Sequence, residues 1–172
     1  MKVDAHCAFA PGFDKAMTSE CKSNWLMVPR RYSLTEEVWD RNLTRPTRDY
    51  HYLTNPETAN SYTYGYAHQI SEWFYENDKE IDDTLIFQGS CWMANREYFL
   101  MNIGKLDDNP KTYGSFAQEP QELCLKYWLG GGRVVVNKKT WYAHLQKLNH
   151  HYHADSFNRK YKTSRSTMRN PE

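Results

Sequence analysis

The stretch "EPQELCLKYWLGGGRVVVN", residues 119–137, gives the clearest indication of the fold. Apolar residues recur at helical spacing between Leu123 and Leu129, after an acidic start. Pro120 fits the first turn of a helix, where no backbone N–H donor is needed. Three glycines then end the predicted helix, and the valines at 134–136 are typical of a buried strand. This stretch therefore predicts a helix followed closely by a strand.

The flanking sequence continues the alternation of helices and strands. Strands are predicted at 25–28, 84–95 and 140–146, and helices at 13–24, 35–42 and 96–104. We expect the strand that begins at Trp25 to stop at Pro29, and Thr35 to cap the short helix that follows it. Because helices and strands alternate, the predicted fold class is α/β.

Composition restricts the class of protein. The 172 residues suggest one domain, and a formal net charge of +1 argues against a nucleic-acid partner. The four cysteines are far apart and form no CxxC pair, which indicates reduced thiols rather than a zinc ribbon. Since no apolar run is long enough for a signal peptide or a membrane span, we expect a cytoplasmic protein with no membrane partner.

Asp4 and His6 lie two residues apart in "KVDAHCAF", which reads as the end of a strand. Residues at this spacing project from the same face of a strand, so both side chains could reach one ion. A carboxylate and an imidazole suit a divalent ion such as Mn²⁺ or Mg²⁺. The pair alone is a weak signal, because Asp-x-His occurs often by chance.

Four segments in order resemble the C-terminal half of a GT-A fold glycosyltransferase, and more closely the polypeptide N-acetylgalactosaminyltransferases. The Asp-Ser-His-Cys-Glu pattern of that family falls on residues 4–7, and its Gly-Gly-Glu-Asn-x-Glu pattern falls on "AQEPQEL", with its two acids at Glu119 and Glu122. The family's Gly-Gly turn falls on "WLGGGRVVV", and its late histidine on His144. Asp-x-His followed by "AFAPGFD" is also similar to the Skp1-type N-acetylglucosaminyltransferases.

This resemblance implies a site and a reaction. Asp4, His6 and His144 would hold Mn²⁺ or Mg²⁺, and the ion would bind the diphosphate of a nucleotide-sugar, with a UDP-sugar favoured. Asp4 would also belong to the nucleotide-sugar site, and Glu119 and Glu122 would be catalytic on the acceptor side. The protein would then transfer a glycosyl group to a hydroxyl acceptor, as a hexosyltransferase. Pro120 replaces the Asp that inverting relatives place there, which favours a retaining mechanism.

Residues 147–172 form a polar, basic segment after the predicted domain at 1–146. In the enzymes that this chain resembles, the corresponding segment is a mobile loop that closes over the nucleotide, and Arg159 and Lys160 would contact the diphosphate. The residues themselves favour a solvated tail over this lid, and a separate metal site built from the histidines at 150, 151 and 153 is the third interpretation.

The resemblance starts near residue 4, so most of the N-terminal strands that bind a nucleotide in GT-A domains have no counterpart here. We therefore expect a reduced or truncated GT-A fold, of viral or bacterial origin. Homo-oligomerisation, or a second chain that supplies the other half, would cover an exposed sheet edge. The competing hypothesis is a non-catalytic module, derived from a glycosyltransferase, that binds a carbohydrate or a partner protein.

Overall fold

The computed structural model of the chain describes residues 1–53, 70–73, 77–106 and 119–145. The strands in these ranges are β1 (Lys2–Val3), β2 (Cys7–Phe9), β3 (Trp25–Thr35), β4 (Asp40–Arg41), β5 (Tyr50–Leu53), β6 (Ile70–Trp73), β7 (Ile81–Asp83), β8 (Cys91–Ala94) and β9 (Arg133–His144). The helices are α1 (Phe13–Glu20), α2 (Arg96–Asn102) and α3 (Glu119–Leu129). The arrangement is mixed α/β with a core dominated by a sheet, which confirms the predicted class.

The main sheet is built around the parallel pair β3 and β9. Its strand order is β1-β8-β3-β9-β2. In addition, β4 pairs with β3, and β7 pairs with β9. Strands β8 and β2 both run antiparallel to their central neighbours. Strands β5 and β6 form a separate antiparallel pair. Strands β9 and β3 each pair with three others, β9 with β3, β2 and β7, and β3 with β9, β8 and β4.

Helices α3 and α1 pack against the sheet in two separate apolar clusters. Leu123 and Tyr127 of α3 join Leu26 and Val134 in the larger cluster. Met17 of α1 packs with Trp25, Met27, Met93 and Val135 in the second cluster. Fully burying a side chain of this size contributes about 1.5–3 kcal/mol. The apolar residues of α3 and β9 that indicated the fold in the sequence therefore form its core.

The glycines after α3 make the turn into β9. Gly131 has a φ of +79°, a conformation that residues with a side chain rarely adopt. Gly132 is crowded instead, because an added Cβ would lie 2.8 Å from the backbone oxygen of Asn24 and 2.9 Å from Cδ1 of Tyr127. The close approach of Gly132 to the chain before β3 lets β9 enter the sheet beside Trp25, with which Arg133 is in register.

Several sequence predictions about local structure are wrong. The strand predicted at 84–95 is limited to Cys91–Ala94, and the helix predicted at 13–24 ends at Glu20. Asp4 and His6 do not share a strand but lie in the loop between β1 and β2.

Strand β3 does not stop at Pro29 but continues to Thr35, and its register with β9 shifts between Pro29 and Arg30. A proline is tolerated at such an irregularity because its missing N–H breaks no regular ladder there. Residues 35–42 form no helix, since β4 turns back to pair with the end of β3. Residues 140–144 are the continuation of β9 rather than a separate strand.

No helix in the described ranges is both long enough and apolar enough to cross a membrane. The segment 147–172, predicted to be a tail or a lid, lies outside the described residues.

We expect Gly132→Ala to lower the free energy of unfolding by about 1–3 kcal/mol, because the added methyl group overlaps a backbone oxygen that cannot easily move. Gly131→Asn is the matched control, since asparagine tolerates a positive φ and nothing lies within 4 Å of the added Cβ. Urea denaturation of the two variants and the wild type measures the difference. Equal stability of both variants would show that the contact at Gly132 is unimportant.

Candidate metal site

The loop between β1 and β2 meets β9 at the end of the main sheet where β9 finishes. The backbone N–H of Asp4 donates to the carbonyl of Ser90 at 2.8 Å, and Leu145 N–H donates to the carbonyl of His6 at 3.0 Å. Cys7 of β2 pairs in register with His144, the last residue of β9. These backbone contacts fix both ends of the loop and bring Asp4, His6 and His144 together.

Potential metal-binding atoms of Asp4, His6 and His144 all lie within 4.8 Å of one another. Nε2 of His144 is 3.6 Å from Oδ2 of Asp4. The two imidazole rings are 4.6 Å apart between centroids and are tilted by 50°. The cluster joins two residues of the loop between β1 and β2 with the last residue of β9, and these are the three residues that the resemblance assigns to a metal.

His144 is buried, and this burial controls its protonation. The pKa of His144 is lowered from 6.5 to about 4, mainly by burial and then by the positive charge of Arg31 and by the neighbouring His6. The nearby carboxylate of Asp4 raises this pKa, but by less than burial, Arg31 and His6 together lower it. The imidazole of His144 is therefore neutral at physiological pH, which is the form that binds metals.

The donor set fits a divalent ion. One carboxylate and two imidazoles suit Mn²⁺ or a similar first-row ion, and three protein ligands leave positions open for oxygen atoms of a substrate. Within the described part of the chain, Nδ1 of His144 is buried and makes no hydrogen bond. A buried nitrogen without a partner is costly unless another group binds it.

Glu119, the first residue of α3, lies beside this cluster. Its Oε1 accepts a hydrogen bond of 3.1 Å from the indole N–H of Trp92. Its Oε2 is 3.9 Å from Nζ of Lys2, and the same ammonium is 3.0 Å from Oδ1 of Asp4. Lys2 also donates a hydrogen bond to the carbonyl of Gly89. One lysine thus connects the predicted acceptor-side carboxylate with the predicted metal ligand.

Glu122 and Pro120 have different surroundings from Glu119. The carboxylate of Glu122 pairs with Lys126 at 2.6 Å, one turn along α3. Pro120 is buried against Gly89, where an added Cβ would lie 2.8 Å from Cγ of the proline. The glycine that precedes Ser90 is therefore required by the close packing of α3 on the turn before β8.

The sequence analysis identified only part of this site. The structure brings Asp4, His6, His144 and Glu119 together at one end of the sheet, whereas Arg159 and Lys160 lie outside the described residues. The sequence analysis did not identify Lys2 or Trp92. Lys2 could have been found from its spacing, since it precedes Asp4 by two residues in the same strand region. Trp92 could not have been found from the sequence, because its approach to Glu119 depends on the packing of α3.

No protein-family profile and no curated protein sequence matches this chain. Its structure is similar to the crystal structure of GalNAc-T7 with UDP, GalNAc and Mn²⁺, with a TM-score of 0.56 and 15% sequence identity. The match covers 86% of this chain and 27% of that chain. The chain therefore has a fold like that of part of this glycosyltransferase.

We expect the metal-free protein to lose stability as the pH falls from about 6.5 towards 4, because the unfolded chain takes up a proton on His144 that the folded chain excludes. At pH 5 this contribution is about 2 kcal/mol. Urea denaturation at pH 7 and pH 5, with a chelator present, should show a larger loss for the wild type than for His144→Gln. The same loss in both proteins would contradict a neutral, buried His144.

Proposed function

We propose that this chain is a metal-dependent, glycosyltransferase-like protein that binds a nucleotide-sugar, with a UDP-sugar favoured, and transfers its glycosyl group to a hydroxyl acceptor. One observation carries the proposal: Asp4, His6 and His144 form a cluster suited to a divalent ion on a fold similar to that of a glycosyltransferase whose structure holds UDP and Mn²⁺. Neither half of this observation would be sufficient alone, because Asp-x-His pairs are common and a fold can support several functions.

Asp4, His6 and His144 are the residues that would hold Mn²⁺ or Mg²⁺. When bound, the ion would supply a Lewis acid and a template for the diphosphate of the donor. The neutral state of His144 supports this role, because no proton has to be removed from it at neutral pH. Asp4 would in addition lie next to the donor, as part of the nucleotide-sugar site.

Glu119 is the carboxylate that we assign to the reacting sugar or acceptor. The indole of Trp92 fixes one of its oxygens at 3.1 Å, while the side chain remains one-third exposed, at 33%, and so can receive a hydrogen bond from a sugar hydroxyl. The neighbouring residue is Pro120, which has no group that could act as a base. This supports a retaining reaction, in which the departing phosphate takes the proton of the acceptor hydroxyl.

We assign the remaining residues more distant roles. Glu122 would support catalysis from the next turn of α3, where its carboxylate pairs with Lys126. Arg159 and Lys160 would contact the diphosphate from a lid formed by residues 147–172. Residues 1–146 would form the metal-binding and acceptor-binding part of a GT-A domain. A second copy of the chain, or another chain, would hold the nucleotide base.

We expect the wild type to bind UDP in the presence of Mn²⁺, and Asp4→Ala and His144→Ala each to weaken this binding at least about tenfold, because each removes one of three protein ligands. Isothermal titration calorimetry with and without Mn²⁺ measures this. Glu37→Ala, which removes an exposed carboxylate outside the cluster, is the control. If the wild type binds an oligosaccharide but not UDP, the alternative of a non-catalytic carbohydrate-binding module replaces our proposal.

We expect Glu119→Gln to reduce hydrolysis or transfer of the UDP-sugar by about 10–100-fold, because it removes a charge-assisted hydrogen bond to a sugar hydroxyl, worth about 1.5–3 kcal/mol. Its affinity for UDP and Mn²⁺ should stay within about threefold of the wild-type value, since Glu119 is not among the three clustered ligands. Glu122→Gln should cause a smaller loss, because Lys126 already pairs with that carboxylate. Full activity of Glu119→Gln would exclude this residue from the chemistry.

A further inference from the structure

Lys2 is a cation that the family resemblance does not account for, and it lies between Asp4 and Glu119 in the candidate site. Its ammonium is 3.0 Å from Oδ1 of Asp4 and 3.9 Å from Oε2 of Glu119, and it donates a hydrogen bond to the carbonyl oxygen of Gly89. The side chains of Lys2, Asp4 and Glu119 are all about one-third exposed, at 35%, 32% and 33%. A ligand that reaches Asp4 from solvent can therefore also reach Lys2.

The position of Lys2 has two electrostatic consequences that point in opposite directions. Lys2 contacts one oxygen of Asp4, while the other oxygen faces Nε2 of His144. A metal ion on that second oxygen would share the carboxylate with the ammonium, and the two cations would repel each other. A diphosphate at the same place would instead be attracted by both cations.

We propose that Lys2 is a second cation of the diphosphate site: it binds a phosphate oxygen of the nucleotide-sugar beside the metal and weakens the binding of the metal alone. This inference rests on the proposed function, since it takes Asp4, His6 and His144 as the metal ligands. A lysine suits this role because its four-carbon chain lets the ammonium move from the carboxylates to a phosphate without a change in the backbone.

A purely structural role for Lys2 makes a different prediction. If the ammonium served only to hold Asp4 and Glu119 in place, its loss would misplace a metal ligand and would weaken the binding of both metal and nucleotide. If Lys2 acts through its charge, its loss strengthens the binding of the metal and weakens that of the nucleotide. The sign of the change in metal affinity therefore separates the two roles.

The test compares four tag-free proteins with the wild type. Lys2→Met removes the charge and keeps most of the aliphatic chain, Lys2→Gln is neutral but keeps a hydrogen-bond donor for Gly89, and Lys2→Arg keeps the charge. Lys15→Met, on the exposed side of α1, removes a lysine elsewhere. The affinity for Mn²⁺ alone is measured from the electron paramagnetic resonance signal of free Mn²⁺, and the affinity for UDP at saturating Mn²⁺ by calorimetry.

We expect Lys2→Met and Lys2→Gln to bind Mn²⁺ alone several-fold to about tenfold more tightly than the wild type, and to bind UDP about tenfold more weakly. Lys2→Arg and Lys15→Met should stay within about threefold of the wild type in both measurements. The inference is overturned if the two neutral variants bind Mn²⁺ with unchanged or lower affinity, or if they bind UDP as well as the wild type does.

Failure of the proposed function would look different from failure of this inference. A wild type that binds neither Mn²⁺ nor UDP would overturn both. A wild type that binds both ligands, with affinities that Lys2→Met leaves unchanged, would overturn the role of Lys2 alone. Thermal unfolding of every variant establishes that the proteins compared are folded.

Discussion

The parallel pairing of β3 with β9 is the constraint on which the rest of the structure depends. Along its first half, the pair buries Leu26, Met27 and Val28 beside the three valines of β9 and provides the surfaces on which α1 and α3 pack. Along its second half, the same pair places His144 in register with Ser33 at the far end of the sheet. The strand that stabilises the core is therefore also the strand that positions a candidate metal ligand.

The irregularity in this pairing separates the two halves. Pro29 is in register with Asn137, but Arg30 is in register with Trp141, so β9 contributes three more residues than β3 at this point. The residues beyond it are of a different kind. Arg31 and His144 are both buried there, and the positive charge of Arg31 helps to lower the pKa of His144. The buried charged and titratable groups of this strand pair thus lie beyond the irregularity.

How well each feature could be predicted depended on whether it was local in the sequence. The helix at 119–129 and its glycine turn follow from periodicity and from the conformational freedom of Gly131, so the sequence was enough. The continuation of β3 past Pro29 was not predictable, because it depends on a register shift against a strand more than one hundred residues away. The approach of Lys2 to Glu119 likewise depends on the packing of α3 beside β8. Sequence order and family resemblance indicated the clustered ligands, whereas the electrostatic neighbours of those ligands required coordinates.

The three clustered residues come from opposite ends of the described chain, with Asp4 and His6 before β2 and His144 at the end of β9. An ion held by all three would act as a non-covalent cross-link that closes a loop of about 140 residues, and the entropic effect of such a link grows only slowly with loop length. Its binding energy would be available only to the folded chain, so the ion would stabilise the whole sheet in proportion to the logarithm of its concentration. Loss of the ion would then loosen β2 from β9 first, because that pairing lies next to the cross-link.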